Sequence, residues 1–313
     1  MLVFSGTSNP ELSEGVARHL GIELGNVKIR KFANGEIYVR YFESVRGADI
    51  FIIQSISAPV NEALMELLIM VDAAKRASAR SITAVISHYG YARQDKKSAA
   101  REPITAKLVA DLLTVAGVNR VITMDLHQGQ IQGFFNQPVN HLTALPILAD
   151  YFQSLDLQGV VVVSPDVGRA KACKKLSDLL GAGLAIMHKG RPEHNVAEIT
   201  HVIGEVEGKA CIMADDMIDT AGSITEGAKA LMQQGAGEIY VTATHGIFSP
   251  PAYERIEASP IKELVVTNTI PVPEDKRDGK IRVISVAPLF ARAVQNVFND
   301  DSVSELFDPE FQL

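Results

Sequence analysis

Three aspartates fall within five positions in Asp215-Asp216-Met217-Ile218-Asp219, and Thr220-Ala221-Gly222-Ser223 follows at once. Carboxylates accept hydrogen bonds from sugar hydroxyls. Small and hydroxylated residues let backbone N–H groups close on a phosphate. An apolar run over 210–214 precedes the acids and predicts a buried parallel strand. An Ala- and Leu-rich stretch over 224–234 predicts a helix. The acids then sit at the carboxyl end of a strand, where open α/β sheets bind ligands. The hydroxylated turn sits at a helix N-terminus, whose free N–H groups attract anions. Together these residues describe a pocket for a phosphorylated sugar. Ser223-Ile224-Thr225-Glu226 also reads as a capping box, with Ser223 as the cap and Glu226 reaching back. The two readings are compatible, and a capping box has no need of acids upstream.

Further polar clusters recur at the ends of predicted strands. Phe32-Ala33-Asn34-Gly35-Glu36 carries the Asn-Gly signal of a hairpin turn between strands over 27–32 and 37–41. By itself it reads as no more than that turn. Tyr89-Gly90-Tyr91-Ala92-Arg93-Gln94-Asp95 runs into Lys96-Lys97 and Arg101, a cationic loop that suits a polyphosphate or a solvated surface. Met124-Asp125-Leu126-His127 ends another strand, though a lone histidine is more often structural than catalytic. Ser164-Pro165-Asp166-Val167-Gly168-Arg169 ends a fourth; Gly168 permits close backbone approach and Asp166 can face a metal. His188-Lys189-Gly190-Arg191-Pro192 places two cations two apart on a loop, within reach of a transferring phosphoryl group.

The elements that must position these groups alternate in kind. Strands over 50–54, 82–86, 121–124 and 160–163 interleave with helices over 61–76, 105–116 and 170–180. This predicts an α/β fold of parallel sheets with crossover helices. The chain's 313 residues are long for one core, so two domains are expected, 1–145 and 146–313. The C-terminal tail is a candidate to pack on the first domain. The halves echo one another: 80–88 aligns with 237–245, and 50–54 with 210–214. The first copy has Ser55-Ile56-Ser57-Ala58 where the second has its acids, so only the second keeps sugar-phosphate chemistry.

Composition narrows the classes. A hydrophobic content of 47% with 21% charged residues describes an ordinary soluble globular protein. No apolar run approaches the roughly 18 residues of a membrane helix, and the start lacks the basic region of a signal peptide. Cys173 and Cys211 form neither a metal spacing nor a disulfide framework and read as core residues in a reducing compartment. A net charge of −7 argues against general nucleic-acid binding, and the lack of tryptophan against a base-stacking platform. Neither the Walker A pattern nor the Rossmann glycine fingerprint is present.

Taken together, Tyr91-Ala92-Arg93-Gln94-Asp95, the 124–135 block and the 215–223 stretch resemble the ribose-phosphate pyrophosphokinases, and the resemblance runs from Phe4 to Phe307. Type I phosphoribosyltransferases share only the last of these motifs. The resemblance implies two similar domains of the type I phosphoribosyltransferase kind, each a mostly parallel sheet flanked by helices. It implies transfer of the β,γ-diphosphoryl group of Mg-ATP to the C1 hydroxyl of ribose 5-phosphate. By motif match, Phe32, Asn34, Gly35, Glu36, Arg93, Gln94 and Asp95 would bind ATP. His127 and Asp166 would sit at the Mg²⁺ site, His127 through a water. Lys189 would be the principal catalytic residue, with Arg191 beside it and also near the ribose 5-phosphate. Asp215 and Asp219 would hold ribose hydroxyls, with Asp216 in the same ribose 5-phosphate site, and Thr220, Ala221, Gly222 and Ser223 would hold the 5-phosphate. A regulatory anion site for phosphate or ADP between subunits would draw on Ser44, Arg46, Ser78, Ser302, Val303, Ser304 and Phe307. A cytoplasmic homohexamer is the implied assembly, with no nucleic-acid or membrane partner.

The chain departs from the family pattern in places. Lys189-Gly190-Arg191 stands where Lys-Arg-Arg is usual, Glu193 where the family is basic or neutral, and Arg169 where a small residue is common. The 97–101 loop is less cationic than usual, and Ser223 replaces threonine but keeps the hydroxyl. Two other classes compete: a phosphoribosyltransferase, which would need neither the hairpin nor the Lys189 arm, and a non-catalytic homologue, which would have lost catalytic groups.

Overall fold

The computed structural model describes residues 1–189 and 200–306. The chain divides into two compact units. The first comprises Met1–Thr143, Thr269–Pro271 and the residues from Ser285 onward; the second comprises Ala144–Asn268 and Val272–Ile284.

The first unit opens with β1 (Leu2–Ser5), α1 (Pro10–Leu20), β2 (Val27–Lys31), β3 (Ile37–Tyr41) and β4 (Asp49–Gln54). It continues through α2 (Val60–Arg76), β5 (Ser81–Ile86), α3 (Thr105–Ala116), β6 (Arg120–Met124) and β7 (Val139–Leu142). Its sheet runs β1-β4-β5-β6-β7 with every pair parallel. Helices cover strands such as β4, so Ile50 to Ile53 form an uninterrupted buried run, as a sheet buried on both faces requires. The β2–β3 hairpin forms a separate two-stranded sheet. Tyr41 ties the hairpin to α2 by donating its hydroxyl to the Met70 carbonyl at 2.9 Å.

The second unit holds α4 (Leu145–Ser154), β8 (Val160–Ser164), α5 (Ala170–Leu180), β9 (Gly183–Lys189), β10 (Thr200–Ile203) and β11 (Ala210–Ile218). Then come α6 (Gly222–Gln233), β12 (Glu238–Gly246), α7 (Ala252–Glu257), β13 (Glu263–Thr267) and β14 (Ile281–Ile284). Its sheet runs β10-β9-β8-β11-β12-β13-β14, parallel except at β10. The last helix, α8 (Ala287–Phe298), returns to the first unit and packs on α1. Gly15 allows the close approach, since a Cβ there would lie 2.8 Å from that of Ala287.

Local signals explain most boundaries. Asn9 caps α1 by accepting the Leu12 N–H, Pro10 opens it, and Gly21 ends it in the left-handed region at φ 69°. Gly181 ends α5 in the same way. The expected strands and helices fall within a residue of those observed, with two corrections around the acids. First, β11 does not stop near Ala214. Its ladder with β12 continues through Asp215↔Ala243 to Ile218↔Gly246, so Asp215 and Asp216 lie within the strand. Second, the capping box does not form. Ala221, not Ser223, is the N-cap of α6; Ser223 lies inside the first turn, and Glu226 pairs with Lys229 at 2.8 Å. No helix among the described residues is long and apolar enough to cross a membrane.

Candidate active site

In the second unit, parallel pairing sets Val163, near the end of β8, beside Met213, just ahead of the acids that β11 carries. Asp215 is partly exposed and accepts the Asp216 N–H at 2.8 Å. Asp216 is buried. Arg169, from the turn after β8, spans both acids: Nε lies 3.2 Å from Asp215 Oδ1 and Nη2 lies 3.2 Å from Asp216 Oδ1. Burial and the neighbouring Asp216 push the Asp215 carboxyl up to about 7, while Arg169 and the Asp216 N–H pull it down. The arginine that the sequence marks as a departure is thus the counter-charge of the acid pair.

The chain turns sharply after β11. Asp219 is partly exposed and Thr220 is exposed, while buried Ala221 adopts φ 59°, ψ 7°. No side chain caps α6, and its first turn carries no acidic residue. Thr225, further along, donates its hydroxyl back to the Ala221 carbonyl at 2.9 Å. The helix therefore presents N–H groups and the positive end of its dipole beside the hydroxyls of Thr220 and Ser223, both exposed. That arrangement can take the phosphate of a sugar whose hydroxyls meet the carboxylates.

Asp166 is exposed at the end of β8, and its Oδ1 accepts the Arg169 N–H at 2.9 Å. Ser164 secures the same turn by donating to the Asp166 carbonyl at 2.6 Å. Lys189 is the last residue of β9 and pairs with Thr200. Gly190, Arg191 and Glu193 lie outside the described residues. Cys173 and Cys211 are free and buried, and burial raises each thiol to about 11, as expected of inert core residues.

In the first unit, Phe32, Asn34, Gly35 and Glu36 form the exposed tip of the β2–β3 hairpin. Gly35 takes φ 91° and donates its N–H to the Phe32 carbonyl at 2.9 Å, so the residue type is set by the turn. The Phe32 ring is 44% exposed, with the Arg30 guanidinium 5.2 Å from its centroid. Tyr38 meets the same ring edge-on, with centroids 5.8 Å apart. Arg93 and Gln94 are exposed after β5, and Asp95 is buried. Gln94 accepts the Thr105 hydroxyl at 2.6 Å and, through its carbonyl, the Ala106 N–H at 3.1 Å. Asp95 accepts Gln130 Nε2 at 3.3 Å. Both thereby fasten the loop to its surroundings.

His127 is partly buried beyond β6. A residue with no signal in the sequence orders its loop: His141 on β7, whose Nε2 accepts the Leu126 N–H at 2.8 Å. The regulatory candidates also lie in this unit. Ser44 and Arg46 are exposed in the turn before β4, and the Gly47 N–H bonds the Ser78 carbonyl at 2.8 Å, joining that turn to Ser78. Ser302 and Ser304 bond each other at 3.1 Å, with Val303 accepting the Leu306 N–H. Phe307 lies outside the described residues.

Comparison with known proteins agrees at every level. The family model described as the N-terminal domain of ribose phosphate pyrophosphokinase matches residues 1–117. A phosphoribosyl synthetase-associated domain matches residues 189–308. A ribose-phosphate pyrophosphokinase of Fusobacterium nucleatum is 55% identical over 98% of both chains. One from Caldanaerobacter subterraneus is 57% identical over 97% of both. The crystal structure of a phosphoribosylpyrophosphate synthetase from Mycobacterium smegmatis superposes with a TM-score of 0.91 at 47% identity, covering 96% of this chain and 99% of that one. With matches of this extent reaching from one end of the sequence to the other, the chain belongs to the ribose-phosphate pyrophosphokinase family.

Proposed function

We propose that the protein transfers the β,γ-diphosphoryl group of Mg-ATP to the C1 hydroxyl of ribose 5-phosphate, releasing AMP and 5-phospho-α-D-ribose 1-diphosphate. The observation that carries this reading is the end of β11. A carboxylate pair near the end of that strand is followed, across the turn at 219–221, by a helix whose first turn holds neither a side-chain cap nor an acid. Asp215 and Asp219 take the ribose hydroxyls, with buried Asp216 beside them, and the turn from Thr220 to Ser223 takes the 5-phosphate. The hairpin tip with Phe32, together with Arg93, Gln94 and Asp95, takes the nucleotide. Phosphoryl transfer asks little covalent chemistry of the protein, so positioning and electrostatics carry the rate. Lys189 and Arg191 meet the charge that builds on the transferring group and on the leaving AMP oxygen, Lys189 as a mobile point charge and Arg191 as a planar fork.

Magnesium fits the donor set. No cluster of three or more His, Cys, Asp or Glu suited to a metal occurs among the described residues. Magnesium is commonly held by one or two carboxylates together with substrate phosphates, and the exposed Asp166 carboxylate is an oxygen ligand of that kind. Asp166, and His127 through a water, would hold it. When bound it neutralises phosphate oxygens. The same reading brings inorganic phosphate as activator and ADP as inhibitor at the Ser44–Ser78 and 302–307 segments. It also brings a homohexamer, a cytoplasmic setting, and a product destined for nucleotide, histidine and tryptophan biosynthesis.

Incubation with Mg-ATP and ribose 5-phosphate, followed by phosphorus resonance, tests the proposal. AMP with a new sugar diphosphate ester is expected. ADP as the nucleotide product, or no reaction, overturns it.

A further inference from the structure

We propose that Arg255 is a positioning residue for ribose 5-phosphate: it braces the strained turn at Ala221 that opens the α6 N-terminus to the sugar's phosphate. The inference rests on the reading of that turn as the sugar-phosphate site. Ala221 at φ 59° occupies the left-handed region, which a residue with a Cβ adopts only when its surroundings hold it there. On the strand side, the Ile218 carbonyl accepts the N–H groups of Ile247 at 2.9 Å and Phe248 at 3.1 Å. On the helix side Thr225 donates its N–H and its hydroxyl to the Ala221 carbonyl at 3.1 and 2.9 Å, and Arg255 holds the preceding peptide, its Nη1 donating to the Thr220 carbonyl at 3.0 Å. The Thr220 C=O and the Ala221 N–H belong to one planar trans peptide unit and point in opposite directions. Pinning the carbonyl toward α7 therefore fixes the N–H on the far side.

Gly222 admits the guanidinium, since a Cβ there would lie 3.3 Å from Nη1. The strut is anchored at its other end as well. Ala252 and Ile256 bury one face of α7. The Lys280 ammonium closes the end of the helix, donating to the carbonyls of Glu257 and Ser259 at 2.8 Å each. The Arg255 side chain itself is exposed, lining an open cavity of about 300 Å³ with Thr225 and Lys229. Truncating it leaves no buried void, so its loss should be felt in the turn rather than in overall stability.

The test is steady-state kinetics of the full-length enzyme. Arg255→Ala should raise KM for ribose 5-phosphate about tenfold, the effect of one charge-assisted hydrogen bond. KM for ATP should stay within about twofold, and the melting temperature should hardly move. Arg255→Lys, which keeps one donor, should fall between, and it carries the test by itself if the alanine variant does not fold. Glycine adopts the left-handed region without penalty. Ala221→Gly placed on Arg255→Ala should therefore recover most of the lost affinity, measured against Ala221→Gly alone. The brace is overturned if KM for ATP rises as much as KM for ribose 5-phosphate, or if the glycine gives no recovery. Asp219→Ala separates the two layers. If it also leaves ribose 5-phosphate binding unchanged, the sugar-phosphate reading fails and the brace falls with it. If it weakens that binding while Arg255→Ala does not, only the brace falls.

Discussion

The crossovers β4–α2–β5 and β11–α6–β12 share one plan and differ in what surrounds the end of the first strand. Each joins neighbouring parallel strands through a helix, and each second strand carries a buried histidine, His88 just beyond β5 and His245 within β12. In the first, the polar groups at the strand end are enclosed by the protein and pair within it, the buried Ser55 hydroxyl excepted. Gln54 donates to Glu66 at 2.9 Å, and Glu66 accepts both the N–H and the hydroxyl of Thr7 at 2.7 Å. Ser8 donates its hydroxyl to Gln54 at 2.5 Å, and Ser55 and Ile56 are fully buried. Glu62 meets the dipole of α2 in its first turn and pairs with Lys31. In the second crossover the first turn of the helix has no acid, and the acids and hydroxyls at the strand end reach solvent at Asp215, Asp219, Thr220 and Ser223. The scaffold is the same; what differs is that the polar groups of the first strand end are enclosed within the fold, while those of the second reach solvent.

Three measurements sharpen or break this contrast. The largest effect should come from Lys189, on an edge hairpin that the first sheet lacks. Lys189→Ala should lower kcat by ~10²–10³, the usual cost of one preorganised contact to a charged transition state. A rate within about threefold of the wild type would place that contact elsewhere. Next comes Glu66→Ala. It strips the acceptor from Thr7 and Gln54 and should cost about 2–4 kcal/mol in urea unfolding while leaving both KM values near normal. Unchanged stability with weakened substrate binding would make the first crossover a ligand site too, and the contrast would dissolve.

The smallest effect is a pH dependence. Asp215 sits near 7 when folded against an ordinary 3.8, so the folded chain holds the extra proton between those values. Stability is then lost as pH rises through 7. Between pH 6 and 8 the loss is about 1 kcal/mol, or roughly 2–4 °C in Tm, and Asp215→Asn should abolish its share of the slope. A Tm that rises over this range in the wild type but not in the variant would reverse the assignment.

Much of the fold was legible before any coordinates. The runs over 50–54, 105–116 and 170–180 carry their own periodicity and end signals, and they fold as read. At 215–223 the strand and the helix are legible in the sequence, but their junction is not. A capping box at Ser223 is the better local solution, yet the β12 ladder carries β11 to Ile218 and the turn that follows puts Ala221 at the helix start. Arg169 departs from the family pattern, and only its partners Asp215 and Asp216 show what it does. His141 and Arg255 gave no signal, because a histidine in a strand and an arginine on a short helix are ordinary until their partners are known.

By itself the sequence determined the alternation of strands and helices and the presence of acids, hydroxyls and cations at strand ends. Those depend on neighbours a few residues away. Only the tertiary structure decided that Arg169 balances Asp215 and Asp216, that Glu66 closes the first crossover, and that Arg255 reaches Thr220. Each of these joins residues tens of positions apart, and a hydrogen bond is selected by distance and angle in space, which spacing along the chain does not encode.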